Sequence, residues 1–226
     1  MLWPAIGAEG QQKLRDARVL LIGCGALGAT IANLLARAGV GHLTIVDRDF
    51  IETTNLQRQV LFDQDDVEAH LPKAIAAKEK LARINPEIEV DAVVADVNHD
   101  NIASLAEKKN LLLDGTDNFE TRFLINDLSV KVGVPWIYGA CVGATGLAMN
   151  VLPGDTPCLR CVFETAPLPG TTPTCDTTGV LGPAASIVAS WQALEAIKLL
   201  TGNREALSRF LFSFDLWENR FQQIHV

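Results

Sequence analysis

A glycine-rich turn between a strand and a helix constrains the fold of this chain more than any other feature. GCGALG, with Gly23, Gly25 and Gly28, follows the apolar segment Arg18–Ile22 and begins the helical pattern of Ala26–Ala38. Such glycines permit a tight turn and close backbone approach, and the helix N-terminus offers unpaired N–H groups to a phosphate. The motif alone does not choose between NAD, FAD, S-adenosylmethionine and ATP. A glycine turn that binds nothing is the alternative.

Strand and helix patterns alternate through the first half of the chain. Further strands are predicted at His42–Val46, Ile88–Val94, Asn110–Leu113 and Pro135–Gly139, and further helices at Lys73–Ile84 and Phe119–Val132. In the second half, strands are predicted at Thr145–Leu152 and Phe210–Trp217, and a helix from Pro183 to about Leu200. These patterns predict an α/β fold with a Rossmann-like, doubly wound, mostly parallel sheet that antiparallel strands extend in the C-terminal half.

Length and composition narrow the class of protein. The 226 residues predict a single domain, 1–226, with a nucleotide-binding half over 1–140 and a second half over 141–226. A net charge of −8 argues against an electrostatic nucleic-acid binder. Five sparse cysteines favour a reducing cytoplasm. The uncharged stretch 177–194 is too rich in small and polar residues for a membrane span, so we expect no membrane partner.

Polar residues after the second strand predict a nucleotide site. Asp47 ends that strand and can accept hydrogen bonds from ribose hydroxyls. Arg58, within the sequence NLQRQ, and Lys73, at a helix start, could neutralise a triphosphate. The alternative is that both are ordinary surface cations.

A second acidic segment follows the strand predicted at 110–113. Asp114 and Asp117 could hold Mg²⁺ beside the phosphates, because Mg²⁺ sites usually combine one or two carboxylates with phosphate oxygens. The alternative is an aspartate turn followed by Asn118 as a helix cap.

Together these motifs resemble the ThiF/MoeB/HesA family, bacterial relatives of ubiquitin-activating enzymes. The resemblance covers essentially the whole chain and rests on GCGALG, Asp47, NLQRQ, LPK, TDNFETR, CLRC and TCDTTGV in order. The segments 114–143 and TCDTTGV are most similar to the ThiF type, which serves thiamine thiazole synthesis. The resemblance implies Mg·ATP-dependent adenylation of the C-terminal Gly-Gly carboxylate of a small ubiquitin-like sulfur carrier protein, for thiamine or molybdopterin sulfur transfer.

The resemblance also assigns roles to residues. It implies that Asp47 holds the ribose and that Asp117 binds Mg²⁺. It implies that Asn55, Arg58 and Lys73 contact the phosphates, and that Asn118 and Arg122 support the site.

Three cysteines matter in this comparison. Cys175 lies where family members can carry a thiol that forms a covalent acyl-disulfide or persulfide with the carrier, although a spectator thiol is an equal reading. Cys158 and Cys161 form half of the family's structural zinc site. The sequence contains no second C-x-x-C pair, and His225 is the nearest candidate for a third ligand, so this sequence supplies only half of the zinc site that the resemblance implies.

The family also implies partners. We expect a homodimer, in which Ala185 and Ala189 would allow close helix packing, although a core helix explains them equally well. A cysteine desulfurase or a rhodanese-like protein would donate sulfur. The family's arginine before the first strand, which reaches the partner's ATP, is not matched by Arg15 or Arg18. A poorly catalytic carrier-binding scaffold is therefore the alternative, and a nicotinamide oxidoreductase, which needs neither Arg58 nor Lys73, is a third reading.

Overall fold

One twisted sheet organises residues 3–165 and 178–226, which the computed structural model describes. Its strands are β1 (Arg18–Ile22), β2 (His42–Val46), β3 (Glu89–Val93), β4 (Leu111–Asp114), β5 (Trp136–Val142), β6 (Thr145–Val151), β7 (Leu211–Asp215) and β8 (Arg220–Ile224). They lie in the order β3-β2-β1-β4-β5-β6-β7-β8. The first five are parallel and the remaining pairs are antiparallel, which confirms the predicted fold class.

Helices cover both faces of the sheet. They are α1 (Gly7–Asp16), α2 (Ala26–Ala38), α3 (Gln64–Glu68), α4 (Lys73–Ile84), α5 (Ile102–Leu105), α6 (Phe119–Val132), α7 (Leu159–Val162) and α8 (Gly182–Thr201). Along β1, Val19 and Leu21 join the core beneath α2, α4 and α8, while Leu20 and Ile22 join the core beneath α5 and α6. Strand β1 is therefore buried on both sides, as its continuous apolar sequence predicts.

The turn from β5 to β6 explains why β5 is longer than predicted. The prediction ended that strand at Gly139, but a two-residue turn at Gly143 and Ala144 returns the chain antiparallel. The register then pairs Val142 with Thr145, and pairing continues along the whole length of β6. Gly143 has φ +59°, a conformation that glycine adopts without strain.

Five of the described helices and strands have no counterpart in the sequence prediction, namely α1, α3, α5, α7 and β8. The helices α3, α5 and α7 have only four or five residues each, too few to show a helical period. Helix α1, with two glycines, and the exposed edge strand β8 both lack clear periodicity and are held by tertiary contacts.

One further prediction is corrected. In α8, which packs against α2, Ala185 and Ala189 are buried in the hydrophobic core. They pack in the core of one chain, so their interpretation as interface residues is wrong.

None of the described helices is long and apolar enough to cross a bilayer.

Candidate functional site

The site lies where the parallel strands end. The loop after β1 carries the glycine motif, and the loop after β4 packs directly against it. A Cβ built on Gly23 would lie 2.5 Å from the Gly115 carbonyl oxygen, and Gly23 itself has φ +87°. A Cβ built on Gly115 would in turn lie 2.4 Å from the Gly23 carbonyl oxygen, so both positions require glycine. Gly25, at the N-cap of α2, has no side chain to accept the helix's first N–H groups, so the turn can receive a phosphate.

Asp47 connects the loops that follow β1 and β2. Its carboxylate accepts hydrogen bonds from the backbone N–H of Cys24 at 2.6 Å and of Asp49 at 2.8 Å. Burial raises the pKa of Asp47 above its ordinary value, although nearby Lys73 and these backbone donors lower it in part. The carboxylate thus lies beside the glycine turn, with lone pairs left for further donors such as ribose hydroxyls.

The NLQRQ segment folds against the glycine turn through Gln59. This side chain is 3% exposed, and its Nε2 donates to Asn55 Oδ1 at 2.8 Å. A Cβ built on Gly25 would lie 3.8 Å from the same Nε2. Gln59 Oε1 has no hydrogen-bond partner among the described residues. Sequence reasoning gave Gln59 no role, although its i, i+4 spacing from Asn55 was the available signal.

Arg58 is half-buried and lies beside the start of α8. Its Nη1 donates to the Thr54 carbonyl oxygen at 3.1 Å, and within the described ranges no carboxylate forms an ion pair with it. The start of α8 lies beside it, since a Cβ on Gly182 would be 3.7 Å from the Arg58 Cα. The prediction that Arg58 belongs to a phosphate site is compatible with this position.

Lys73 begins α4 and is buried. Its Nζ lies 3.0 Å from Asp49 Oδ2, and its backbone N–H donates to the Asp49 carbonyl oxygen at 2.9 Å. Asp49 was not singled out from the sequence, because nothing in the order D-R-D indicates that the second carboxylate meets a helix 24 residues later.

The two carboxylates at and after the end of β4, Asp114 and Asp117, lie in different surroundings. Asp114 is fully buried, 3.2 Å from Arg122 Nε, and accepts from the Thr116 N–H and hydroxyl at 2.9 and 2.7 Å. Burial raises the pKa of Asp114, and Arg122 opposes that shift. Asp114 is thus inaccessible to a metal ion, and its interpretation as a Mg²⁺ ligand is wrong. Asp117, in contrast, is exposed.

Asn118 and Arg122 support this loop, the first from its exposed side and the second from inside. Asn118 Oδ1 accepts from the Thr121 N–H at 2.9 Å and caps α6, as the alternative reading predicted. Arg122 is buried and donates from Nη2 to the carbonyl oxygens of Thr116 at 2.7 Å and Gly139 at 3.4 Å. It holds the loop that presents Asp117.

The cysteine pair lies at the start of α7, on the face of the sheet covered by α6. The sulfur atoms of Cys158 and Cys161 are 3.9 Å apart, close to the spacing of two ligands of one tetrahedral zinc ion. Among the described residues no third His, Cys, Asp or Glu joins them, His225 included, so these residues alone do not form a zinc site. Cys175 lies outside the described residues.

Local hydrogen bonds lower the pKa of the Cys158 thiol. Burial raises the pKa of its thiol, but the N–H groups of Arg160 and Cys161 and the Asn126 side chain outweigh that effect and bring the pKa below its ordinary value. Asn126 also accepts from the Leu159 N–H at 2.7 Å, which fixes the turn on α6.

Comparison with known proteins identifies this arrangement. The ThiF family model matches residues 1–226. The Sulfur carrier protein ThiS adenylyltransferase of Bacillus subtilis is 48% identical over 225 residues, covering 100% of this chain and 66% of the relative. The Sulfur carrier protein adenylyltransferase of Thermus thermophilus is 36% identical over 231 residues, covering 100% of this chain and 84% of the relative.

A solved structure shows the same architecture. The crystal structure of E. coli MccB with ATP superimposes with a TM-score of 0.84 and 25% identity, over 96% of this chain and 66% of that chain. This chain thus spans about two thirds of the length of the Bacillus subtilis relative and of MccB. The chain belongs to the ThiF family, as the resemblance of its motifs predicted.

Proposed function

We propose that this chain is an ATP-dependent adenylyltransferase that activates the C-terminal glycine carboxylate of a small ubiquitin-like sulfur carrier protein. One observation carries the proposal. The carboxyl edge of the parallel strands holds the glycine turn, the Asp47 carboxylate, Arg58, the exposed Asp117 and, at the start of α4, Lys73. The names of the two bacterial relatives, both adenylyltransferases for sulfur carriers, support the same reaction and substrate class.

The proposed reaction needs little covalent help from the protein. A carboxylate oxygen of the carrier attacks the α-phosphorus of ATP, the bond to the bridging oxygen breaks, and pyrophosphate leaves with that electron pair. The product is a carrier acyl-adenylate. Because the carboxylate is already a competent nucleophile, the site has to position the reactants and neutralise charge. The N-terminus of α2 and the cations of Arg58 and Lys73 suit the second task.

Mg²⁺ fits this site through Asp117. When bound with ATP, the ion would neutralise phosphate charge and favour pyrophosphate departure. Mg²⁺ is usually held by one or two carboxylates together with phosphate oxygens. The exposed carboxylate of Asp117, in the loop that packs against the glycine turn, meets that need, whereas the buried Asp114 does not.

The carrier would dock on the antiparallel half, 141–226. Strand β7 runs parallel to β5, because two antiparallel steps separate them, so β7 also ends at the carboxyl edge. Trp217, which follows β7, is 78% exposed, and Phe221 on β8 is also exposed. An aromatic surface at this edge would let a docked carrier extend its tail toward the α-phosphate.

A second copy of the chain would cover the outer face of α8. Ile187 and Leu194 lie on a different face of α8 from the buried Ala185 and Ala189, and both expose apolar surface to solvent. We propose a cytoplasmic homodimer that serves thiamine or molybdopterin sulfur transfer and receives sulfur from a cysteine desulfurase or a rhodanese-like protein. The chemistry of a thiocarboxylate carrier requires such a donor.

ATP–pyrophosphate exchange tests the activity. Exchange of labelled pyrophosphate into ATP should depend on a carrier ending in Gly-Gly and should disappear with the same carrier amidated at its C-terminus. Asp117→Ala should reduce exchange by about 100-fold with an unchanged melting temperature, while Asp100→Ala, at an exposed carboxylate on the α5 loop, should not. ATP binding without exchange would favour the scaffold reading, and binding of NAD(H) in place of ATP would favour an oxidoreductase.

A further inference from the structure

Lys73 already has a negatively charged partner at the proposed phosphate site. Its ammonium group lies 3.0 Å from Asp49 Oδ2, and the side chain of Lys73 is 8% exposed whereas that of Asp49 is 56% exposed. The backbone reinforces the pair, since the Lys73 N–H donates to the Asp49 carbonyl oxygen. Among the described residues, Asp49 provides the ion pair of Lys73.

A buried ammonium needs a counter-ion, and here two anions compete for it. An unpaired buried charge is costly, so Asp49 keeps Lys73 in place when no nucleotide is bound. A phosphate that approaches the ammonium meets the Asp49 carboxylate as a like charge at close range. Binding therefore requires either that the carboxylate moves away or that the repulsion is tolerated. Both cases weaken the binding of phosphate.

The Asp49 carboxylate has a second possible partner, the guanidinium of the neighbouring Arg48. Arg48 Nε is 3.7 Å from Asp49 Oδ1, and Arg48 Nη1 binds Asp96 Oδ2 at 2.9 Å. Arg48 and Asp49 are both exposed, so the Asp49 side chain can turn toward the guanidinium without losing a charged partner.

We propose that Asp49 is an exchangeable counter-ion for Lys73: phosphates displace it when they bind, and it takes the ammonium back when pyrophosphate leaves. Asp49 is thus a positioning residue that acts through Lys73 and lowers the affinity of the site for phosphates. This inference rests on the proposed function. It adds that the site contains a built-in competitor, which keeps the released pyrophosphate from inhibiting the enzyme.

Binding of ATP and of inorganic pyrophosphate, measured by titration calorimetry with Mg²⁺ present, tests the proposal. Asp49→Asn should bind both about three- to tenfold more tightly than the natural chain, in line with the strength of a half-exposed ion pair. Asp49→Glu, which retains the charge, should stay within about twofold of the natural affinity. A purely structural role of Asp49 predicts the opposite direction, weaker binding.

Two further variants locate the effect. Asp100→Asn removes an exposed carboxylate that pairs with His99 and with neither Lys73 nor Arg48, so the affinity of this variant should not change. In a Lys73→Met background, which should itself bind ATP more weakly, Asp49→Asn should have no further effect. Equal or weaker binding by Asp49→Asn, or a gain that persists without Lys73, would overturn the proposal.

The outcomes separate this inference from the function on which it rests. If the natural chain binds no ATP, the proposed function fails, and the role of Asp49 fails with it. If the natural chain binds ATP and supports exchange while Asp49→Asn behaves identically, only the counter-ion proposal fails.

Discussion

At the residue scale, Arg58 is the cation that we expect to respond most clearly to substitution. Arg58→Ala should raise the KM for ATP about tenfold to 100-fold, since hydrogen bonds to charged groups contribute about 1.5–3 kcal/mol. The side chain bonds only to a carbonyl oxygen of its own segment within the described residues, so the melting temperature should change little. Exchange rates measured over a range of ATP concentrations give the KM.

Arg83→Ala is the matched control for that prediction. Arg83 is exposed in the last turn of α4 and has no ion pair among the described residues. An equal rise in KM for both variants would mean that net charge, and not the position of Arg58, determines nucleotide affinity.

The sequence predicted which residues lie at the end of a strand better than whether their side chains point into the core or to solvent. Asp114 and Asp117 are three residues apart in one polar loop, and the sequence could not tell which one turns inward. The choice depends on Arg122 and on the Gly139 carbonyl group of β5, which only the folded sheet brings together. Asp49 was not predicted for the same reason, because its partner Lys73 reaches it from the start of α4.

At the scale of elements, the loop between β4 and α6 depends on one buried ion pair. Arg122→Ala leaves the Asp114 carboxylate buried without its counter-ion, which should lower the free energy of unfolding by about 3–5 kcal/mol. Urea denaturation followed by circular dichroism measures this loss. The double variant Asp114→Asn with Arg122→Met removes both charges and should lose less, because no charge is then left unpaired. A loss below about 1 kcal/mol in Arg122→Ala would show that water compensates Asp114.

The turn that begins α7 should make one thiol reactive. Because the pKa of Cys158 is lowered, its alkylation by iodoacetamide should reach half of its maximal rate below pH ~8.5, the ordinary value for a thiol. Cys24 is fully buried and its pKa is raised, so it should resist alkylation while the chain is folded. Peptide mapping by mass spectrometry assigns each site. In Asn126→Ala the Cys158 midpoint should move to higher pH, and an unmoved midpoint would contradict the hydrogen-bonding explanation.

Element boundaries were predictable where local signals determine them. Helices α2, α4 and α6 and strand β2 have the bounds that periodicity and end signals predicted, with Gly39 and Gly133 in left-handed conformations just after α2 and α6. Helix α1 was not predictable, because its stability comes from packing. Its Gly10 lies against Thr201 of α8, and Asn203 donates to the Ala5 carbonyl oxygen.

At the scale of the whole molecule, α8 joins the two halves. Gln192, buried on this helix, donates from Nε2 to the carbonyl oxygens of Asp114 at 2.8 Å and Ile137 at 3.1 Å. Gly139 lies beneath it, since a Cβ there would overlap the Gln192 amide. The helix therefore fixes the end of β4, in the nucleotide half, relative to β5 and to the antiparallel strands that follow.

This connection matters because the proposed substrates would bind to different halves. Trp217→Ser should raise the KM for a Gly-Gly carrier about 30-fold, the effect of losing one buried tryptophan contact, and should leave the KM for ATP unchanged. Trp3→Ser makes the same chemical change at an exposed tryptophan near the N-terminus and should alter neither value. Carrier-dependent exchange measured against carrier and ATP separately distinguishes the two KM values. A rise in both would mean that Trp217 supports the nucleotide edge of the sheet, and an unchanged carrier KM would place the docking surface elsewhere.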